Sequence, residues 1–327
     1  MKRMKSLAAF FLIAGVICAD AATEKDVWRV LKEQGINFDT NAVQRAVVDS
    51  ILKAVDPRAR VMGTNEAAEV ADGVTITTNE EWQEGICYLK LAGLYEGGET
   101  QVINRLREWS SAGKCGVIMD MRGAGGKNLS TVDGIASVFA PINCTLYSIR
   151  NGKGKEIEKH EAIRERYLAE PMPLILLIND ETRDACEILA AVLKGTKGVM
   201  LLGTNTKGDN AIREILPLSA GERVSLATRW AVPANGIEYN GAGVQPDIIV
   251  TACGINPGST NTANAMEESD SIRAIWKPLS DKAKLDRNLM QRVAADGMIL
   301  RATDILLGLK GLRSNATDTN TVSSAGE

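Results

Sequence analysis

The sequence predicts a layered α/β core over residues 85–252. Apolar strand-like runs alternate there with amphipathic helical segments, the expected pattern when helices cover a sheet. A chain of 327 residues that is 45% hydrophobic can bury one large core and carry smaller attachments. No internal repeat suggests a solenoid or propeller.

Residues 1–22 carry Lys2, Arg3 and Lys5, an apolar run from Leu7 to Cys18, then Ala19-Asp20-Ala21. These are the three parts of an export signal, with cleavage expected after Ala21 or Ala22. About twelve apolar residues are too few for a bilayer span, which needs about twenty. The mature chain is therefore expected in the periplasm or outside the cell, with no membrane span after signal removal. Residues 23–62 read as a helical segment. Val27, Val30 and Leu31, then Val43, Val47, Ile51 and Leu52, recur at helical spacing over 24–34 and 41–55, and Asp56-Pro57 stops the second helix. Residues 63–84 are polar, without sustained periodicity over 63–81, and read as a linker.

Within the core, strands are expected at 85–94, 116–121, 144–150, 173–179 and 199–203, with helices at 99–111, 131–139 and 186–194. Shorter strands follow at 214–218, 223–232 and 248–251, punctuated by Pro233, Gly236, Gly241 and Gly243. Residues 253–312 form a C-terminal extension: an Asn/Thr/Ser/Gly-rich connector at 254–269, then a helical pattern at 285–309 interrupted at Gly297. The tail, 313–327, is small and polar and is expected to be disordered.

Composition excludes several functions. Lys and Arg total 38 against 41 Asp and Glu, so the chain lacks the basic footprint of a nucleic-acid binder, and its 4% aromatic content supplies few stacking platforms. With Cys18 lost in the signal, Cys87, Cys115, Cys144, Cys186 and Cys253 remain, an odd number without a C-x-x-C pair. Most sit in apolar runs and read as small buried hydrophobes. A single His and scattered thiols make a zinc site improbable, and no cofactor is expected.

Five stretches carry a family resemblance in order. They are the helix Ala46 to Val55 closing on Asp56-Pro57, the loop Met119-Asp120-Met121-Arg122-Gly123-Ala124-Gly125-Gly126, the helix start Asp184-Ala185-Cys186-Glu187-Ile188-Leu189-Ala190, the loop Gly203-Thr204-Asn205-Thr206-Lys207-Gly208-Asp209, and Gly243-Val244-Gln245-Pro246-Asp247. Together they resemble the tail-specific (carboxy-terminal processing) serine proteases. The resemblance implies a crotonase/ClpP-like α/β core, with Gly125 and Gly126 at the oxyanion-hole position and Glu187 as a buried structural Glu. It implies a Ser nucleophile, a Lys twenty-five residues later and a Gln four further on. Here those positions hold Asp184, Asp209 and Arg213. The stretch 63–81 also leaves no room for the PDZ module common in the family.

An Asp cannot act as a protease's acyl-accepting hydroxyl, and Asp209 cannot supply a low-pKa amine. The expectation is a catalytically inactive relative that keeps a groove for a peptide or protein segment, with Asp184, Asp209 and Arg213 forming a charged cluster and the Arg213 fork lying between the carboxylates. Two carboxylates about 4 Å apart repel by roughly 4 kcal/mol at an effective dielectric near 20, which a nearby cation relieves. Three alternatives keep activity: Cys186 as nucleophile with Lys207 or another Lys, an Asp184/Asp209 dyad sharing a proton, and a Ser-His-Asp site. The last would need His160, which lies in a charged run read as a solvated face.

Overall fold

The computed structural model describes residues 23–37, 39–63, 73–168, 172–250 and 295–323. The chain divides into two units, Met1–Pro57 and Arg58–Glu327. The first holds α1 (Glu24–Glu33) and α2 (Thr40–Val55). A reciprocal capping box of Thr23 and Asp26 opens α1, and Asp39 caps α2 by accepting the Asn41 and Ala42 amides.

The second unit is a layered α/β body. Its strands are β1 (Arg60–Met62), β2 (Ile76–Glu81), β3 (Ile86–Leu91), β4 (Gly93–Leu94), β5 (Gly116–Asp120), β6 (Gly125–Gly126), β7 (Thr145–Asn151), β8 (Glu156–Glu161), β9 (Leu174–Ile178), β10 (Val199–Gly203), β11 (Ala211–Pro217), β12 (Arg223–Pro233) and β13 (Ile248–Ile249). Its helices are α3 (Gly98–Ser111), α4 (Leu129–Phe139), α5 (Asp184–Leu193) and α6 (Gly297–Ser323). A six-stranded sheet runs β13-β10-β9-β5-β3-β2, parallel except for the β2–β3 pair. A second sheet runs β1-β12-β7-β8, with β11 also paired to β12.

Strand alternation divides the apolar core between two faces. Cys87, Leu89, Val117, Met119, Leu174 and Leu176 belong to one cluster with Val102, Leu106 and Trp109 of α3, Ile135 of α4 and Leu189 of α5. The intervening Tyr88, Ile118, Ile175 and Leu177 pack with Met298, Ile299, Ala302 and Leu306 of α6. The central strands are buried on both faces, which is why they read as unbroken apolar runs.

The structure changes four expectations. The 63–84 linker contains β2, whose Ile-Thr-Thr-Asn-Glu-Glu alternates half-buried with exposed and forms the sheet's antiparallel edge. An edge strand needs little apolar content, so its polarity concealed it. The 23–62 helical segment ends in strand, because β1 pairs antiparallel with β12. The expected strand 85–94 breaks at Ala92, and β4 pairs with β6 in a separate ribbon. Finally, α6 continues to Ser323, past the start of the expected disordered tail. Once Asp296 has capped its start by accepting the Met298 and Ile299 amides, propagation is cheap even through poor helix formers. The 254–269 connector and the 285–294 part of the helical pattern lie outside the described residues.

Candidate functional site

The site starts at a sharp turn after β9. Thr182 accepts the Asn179 amide and donates to the Met121 carbonyl at 2.9 Å, and the Arg183 amide donates to the Ala124 carbonyl at 3.0 Å. Asp184 follows at φ 54°, in the left-handed region that Asp tolerates better than most residues. It is the first residue of α5, whose remaining residues, Ala185 to Leu193, are all buried. The turn places the Asp184 carboxylate, with Ala185 and Ile188 beside it, on a pocket of about 770 Å³.

Asp209 lines the same pocket from the loop between β10 and β11. Its Oδ2 accepts from Arg58 Nη1 at 2.7 Å and pairs with Arg213 Nη1 at 2.8 Å, while Oδ1 accepts the Ala211 amide at 3.0 Å. Asp184 Oδ1 lies 3.4 Å from Arg58 Nη2, and its Oδ2 lies 3.5 Å from Arg183 Nε. Asp184, Asp209 and Arg213 therefore do converge on one pocket. The guanidinium that bridges the two carboxylates, however, is that of Arg58, in place of the expected Arg213 fork. Sequence reasoning missed Arg58 because it belongs to no motif, although it directly follows the Asp56-Pro57 helix stop.

Glu187, one turn into α5, holds the Asp209 loop. Fully buried, it accepts from Thr206 Oγ1, from the Gly208 amide at 2.5 Å and from the Asp209 amide at 3.1 Å. Burial raises its ionisation above the ordinary carboxylate range despite these three donors, with the Asp209 charge adding to the rise. The loop is also pinned by Thr206 Oγ1 accepting the Val244 amide at 2.7 Å and by the Gly241 amide donating to Gly208 O at 2.7 Å.

The remaining candidates separate. Gly126 lines the pocket at φ 92°, and a Cβ there would collide with the Leu94 backbone, so glycine is needed for the β4–β6 contact. The Gly125 amide points at the Ala92 carbonyl, 3.4 Å away. Cys186 is fully buried with its thiol on the Gly125 carbonyl, and burial first, then the Asp184 charge, pushes its ionisation far above the usual thiol range. Lys207 is exposed, so it cannot serve a buried Cys186 as base. His160 is not on a solvated face. Its side chain is 9% exposed, stacks on Tyr147 at 4.2 Å, and holds Asp133 Oδ2 at 2.7 Å through Nδ1. Nε2 is 3.2 Å from Glu158 Oε1, an ion-pair contact off the hydrogen-bond direction. Burial lowers the His160 pKa, but Asp133 and Glu158 together outweigh it and leave it raised. The Tyr239 hydroxyl, buried near Glu187 and Asp209, has no hydrogen-bond partner among the described residues.

A layered α/β core, an elbow ahead of a buried helix and a loop tied to that helix by a buried Glu are now in place. The sequence profile of peptidase family S41 matches residues 85–250. The chain belongs to this family. A chloroplastic C-terminal processing peptidase of Tetradesmus obliquus is 29% identical over 169 residues, covering 49% of this chain and 34% of that protein. The carboxyl-terminal-processing protease of Synechocystis is 26% identical over 169 residues, covering 51% of this chain and 38% of that protein. The chain thus spans well under half the length of these relatives. Among solved structures, a candidate peptidase of Parabacteroides merdae superposes with a TM-score of 0.52 at 15% identity, covering 82% of this chain and 94% of that one. A lipoprotein of Streptococcus agalactiae gives 0.51 at 16% identity, covering 68% and 84%. Identities this low speak to the fold alone, which is the crotonase/ClpP-like layered α/β fold of S41 peptidases. Among the described residues no helix is long and apolar enough to cross a membrane, and no cluster of His, Cys, Asp and Glu could hold a metal ion. Cys87, Cys115, Cys144 and Cys186 are free thiols, and Cys253 lies outside the described residues.

Proposed function

We propose that this S41 protein is exported, does not hydrolyse peptide bonds, and uses its pocket to hold a peptide or protein segment. The observation that carries the reading is the ion-paired cluster in the pocket. By resemblance, Asp184 and Asp209 stand where the family's Ser and Lys would be, and Arg213 where its Gln would be. A carboxylate makes a poor acyl acceptor, and the Asp209 carboxylate is engaged by two guanidiniums and the Ala211 amide, where the family's Lys would offer an amine. Two features weigh against the alternative of a peptidase using other residues. Burial suppresses the Cys186 thiolate, and both carboxylates are bonded to the Arg58 guanidinium, where a proton-sharing dyad bonds the two carboxyls to each other. Export rests on the signal features of residues 1–22 and is checked by a mature N-terminus at Ala22 or Thr23.

The test compares wild-type protein with the triple variant Asp184→Ser, Asp209→Lys, Arg213→Gln on unfolded casein. The reading expects no cleavage by wild type, with activity arising, if at all, in the variant. Wild-type cleavage abolished by Asp184→Ala would overturn it.

A further inference from the structure

Two buried nitrogens without a hydrogen-bond partner among the described residues, His160 Nε2 and Arg229 Nε, belong to side chains on either side of one carboxylate. Glu158 of β8 turns Oε1 toward His160 Nε2 at 3.2 Å and Oε2 toward Arg229 Nη1 at 4.0 Å. The first contact lacks hydrogen-bonding direction and the second lacks hydrogen-bonding distance. Arg229 is divided in turn, because its Nη2 pairs with Glu214 Oε1 at 2.8 Å. Strand register carries the row across the second sheet. Glu158 stands opposite Ile149 of β7, Ile149 stands opposite Ala231 of β12, and Arg229 lies two residues along on the same face. Arg229 and Glu214 line the pocket, whereas His160 lies away from it. A line of alternating charge, Asp133, His160, Glu158, Arg229 and Glu214, therefore runs from α4 to the pocket wall.

The protonation state of His160 decides which neighbour has the stronger claim on Glu158. With Asp133 on Nδ1 at 2.7 Å, a charged ring offers Glu158 an N–H at Nε2 and a positive charge, while a neutral ring offers a lone pair that repels the carboxylate. In the neutral state the attraction to Arg229 is unopposed, and closing the 4.0 Å gap would bring an acceptor to the orphan Nε–H. Among the described residues the ionisable groups facing His160 are Asp133 from α4, Tyr147 from β7 and Glu158 from its own strand. Tyr147 donates its hydroxyl to Asp133 at 2.7 Å, and burial keeps it un-ionised. The two carboxylates outweigh burial at His160, so its change of state falls above the ordinary value of 6.5.

We propose that Glu158 is a proton-controlled switch of the pocket wall: held at the His160 imidazolium when the ring is charged, it turns to Arg229 when the ring is neutral and draws that guanidinium away from Glu214. The switch belongs to the wall itself and does not depend on what the pocket holds. NMR of the chain's one histidine and of the Arg229 Nε–H resonance tests it in wild type, Arg229→Gln, Glu158→Gln and the double variant, each first checked for cooperative thermal unfolding. In wild type the Arg229 resonance should shift with the His160 midpoint, and that linked shift should vanish in Glu158→Gln. Arg229→Gln frees Glu158 for His160 and should raise its proton affinity about threefold, a midpoint higher by about 0.5 pH unit. In the Glu158→Gln background the same substitution should move the midpoint less than half as far. An Arg229 resonance unchanged through the His160 titration would overturn the proposal in wild-type protein alone, whether or not the variants fold. A midpoint that responds equally to Arg229→Gln with and without Glu158 would also overturn it, by showing a direct field of Arg229 on the ring in place of a shared carboxylate.

Discussion

Removing Arg58 should uncouple the pocket's two carboxylates, and the size of the effect follows from its surroundings. The Arg58 side chain is 38% exposed, whereas Asp184 and Asp209 are 18% and 15% exposed. An exposed ion pair is worth about 0.2–1 kcal/mol, and a hydrogen bond to a charged group about 1.5–3 kcal/mol. With one partner partly in solvent and a 2.7 Å contact to Asp209, a coupling of about 1.5 kcal/mol between Arg58 and Asp209 is expected. A double-mutant cycle of Arg58→Met and Asp209→Asn, read by urea denaturation at neutral pH, measures it. Screening in about 1 M salt should reduce the coupling only in part, because the carboxylate is mostly covered. A coupling below about 0.3 kcal/mol, within the additivity of independent sites, would refute the bridging role of Arg58.

Three further outcomes follow from the same geometry. Glu187→Ala strips partners from Thr206 and from the Gly208 and Asp209 amides, and relief of the buried charge offsets only part of the loss. It should cost about 3 kcal/mol in denaturation and raise hydrogen exchange across 204–210. His160 is the chain's one histidine, so its imidazole signals can be followed singly by NMR. With its folded pKa raised, its contribution to stability is complete below the unfolded value near 6.5 and fades as pH rises through the folded value. The NMR titration should therefore lie above 6.5, and a midpoint below it would contradict the Asp133 and Glu158 contacts. Tyr239→Phe removes a buried hydroxyl that has no hydrogen-bond partner among the described residues and should be neutral or stabilising by up to about 1 kcal/mol, and a destabilisation above about 1 kcal/mol would reveal a partner for the hydroxyl.

Strands buried on both faces were legible because their sequences are continuous apolar runs, as in Leu174–Ile178, and α3 because its apolar residues hold helical spacing. Polar edges were not. β2 and β8 expose alternate or most side chains and are stabilised by their neighbours, so nothing in their own composition announces them. The convergence of Asp184 and Asp209 was visible only through family resemblance, since a separation of twenty-five positions along the chain carries no distance information. Arg58 reaches the same carboxylates from 126 and 151 residues away, and such an ion pair leaves no local pattern. His160 sits among charged residues in sequence, yet pairing of β7 with β8 lays its ring against Tyr147 and Asp133.

The central claim is that a pocket built to the S41 plan holds a peptide without cutting it. Its most direct test is mass spectrometry of new termini after day-long incubation of stoichiometric wild-type protein with a denatured, protease-inhibited protein mixture. The account predicts no termini beyond those in a no-protein control, while unfolded segments are retained on the immobilised protein. Reproducible new termini that vanish with Asp184→Ala or with Cys186→Ala would contradict it and place the chemistry on that residue.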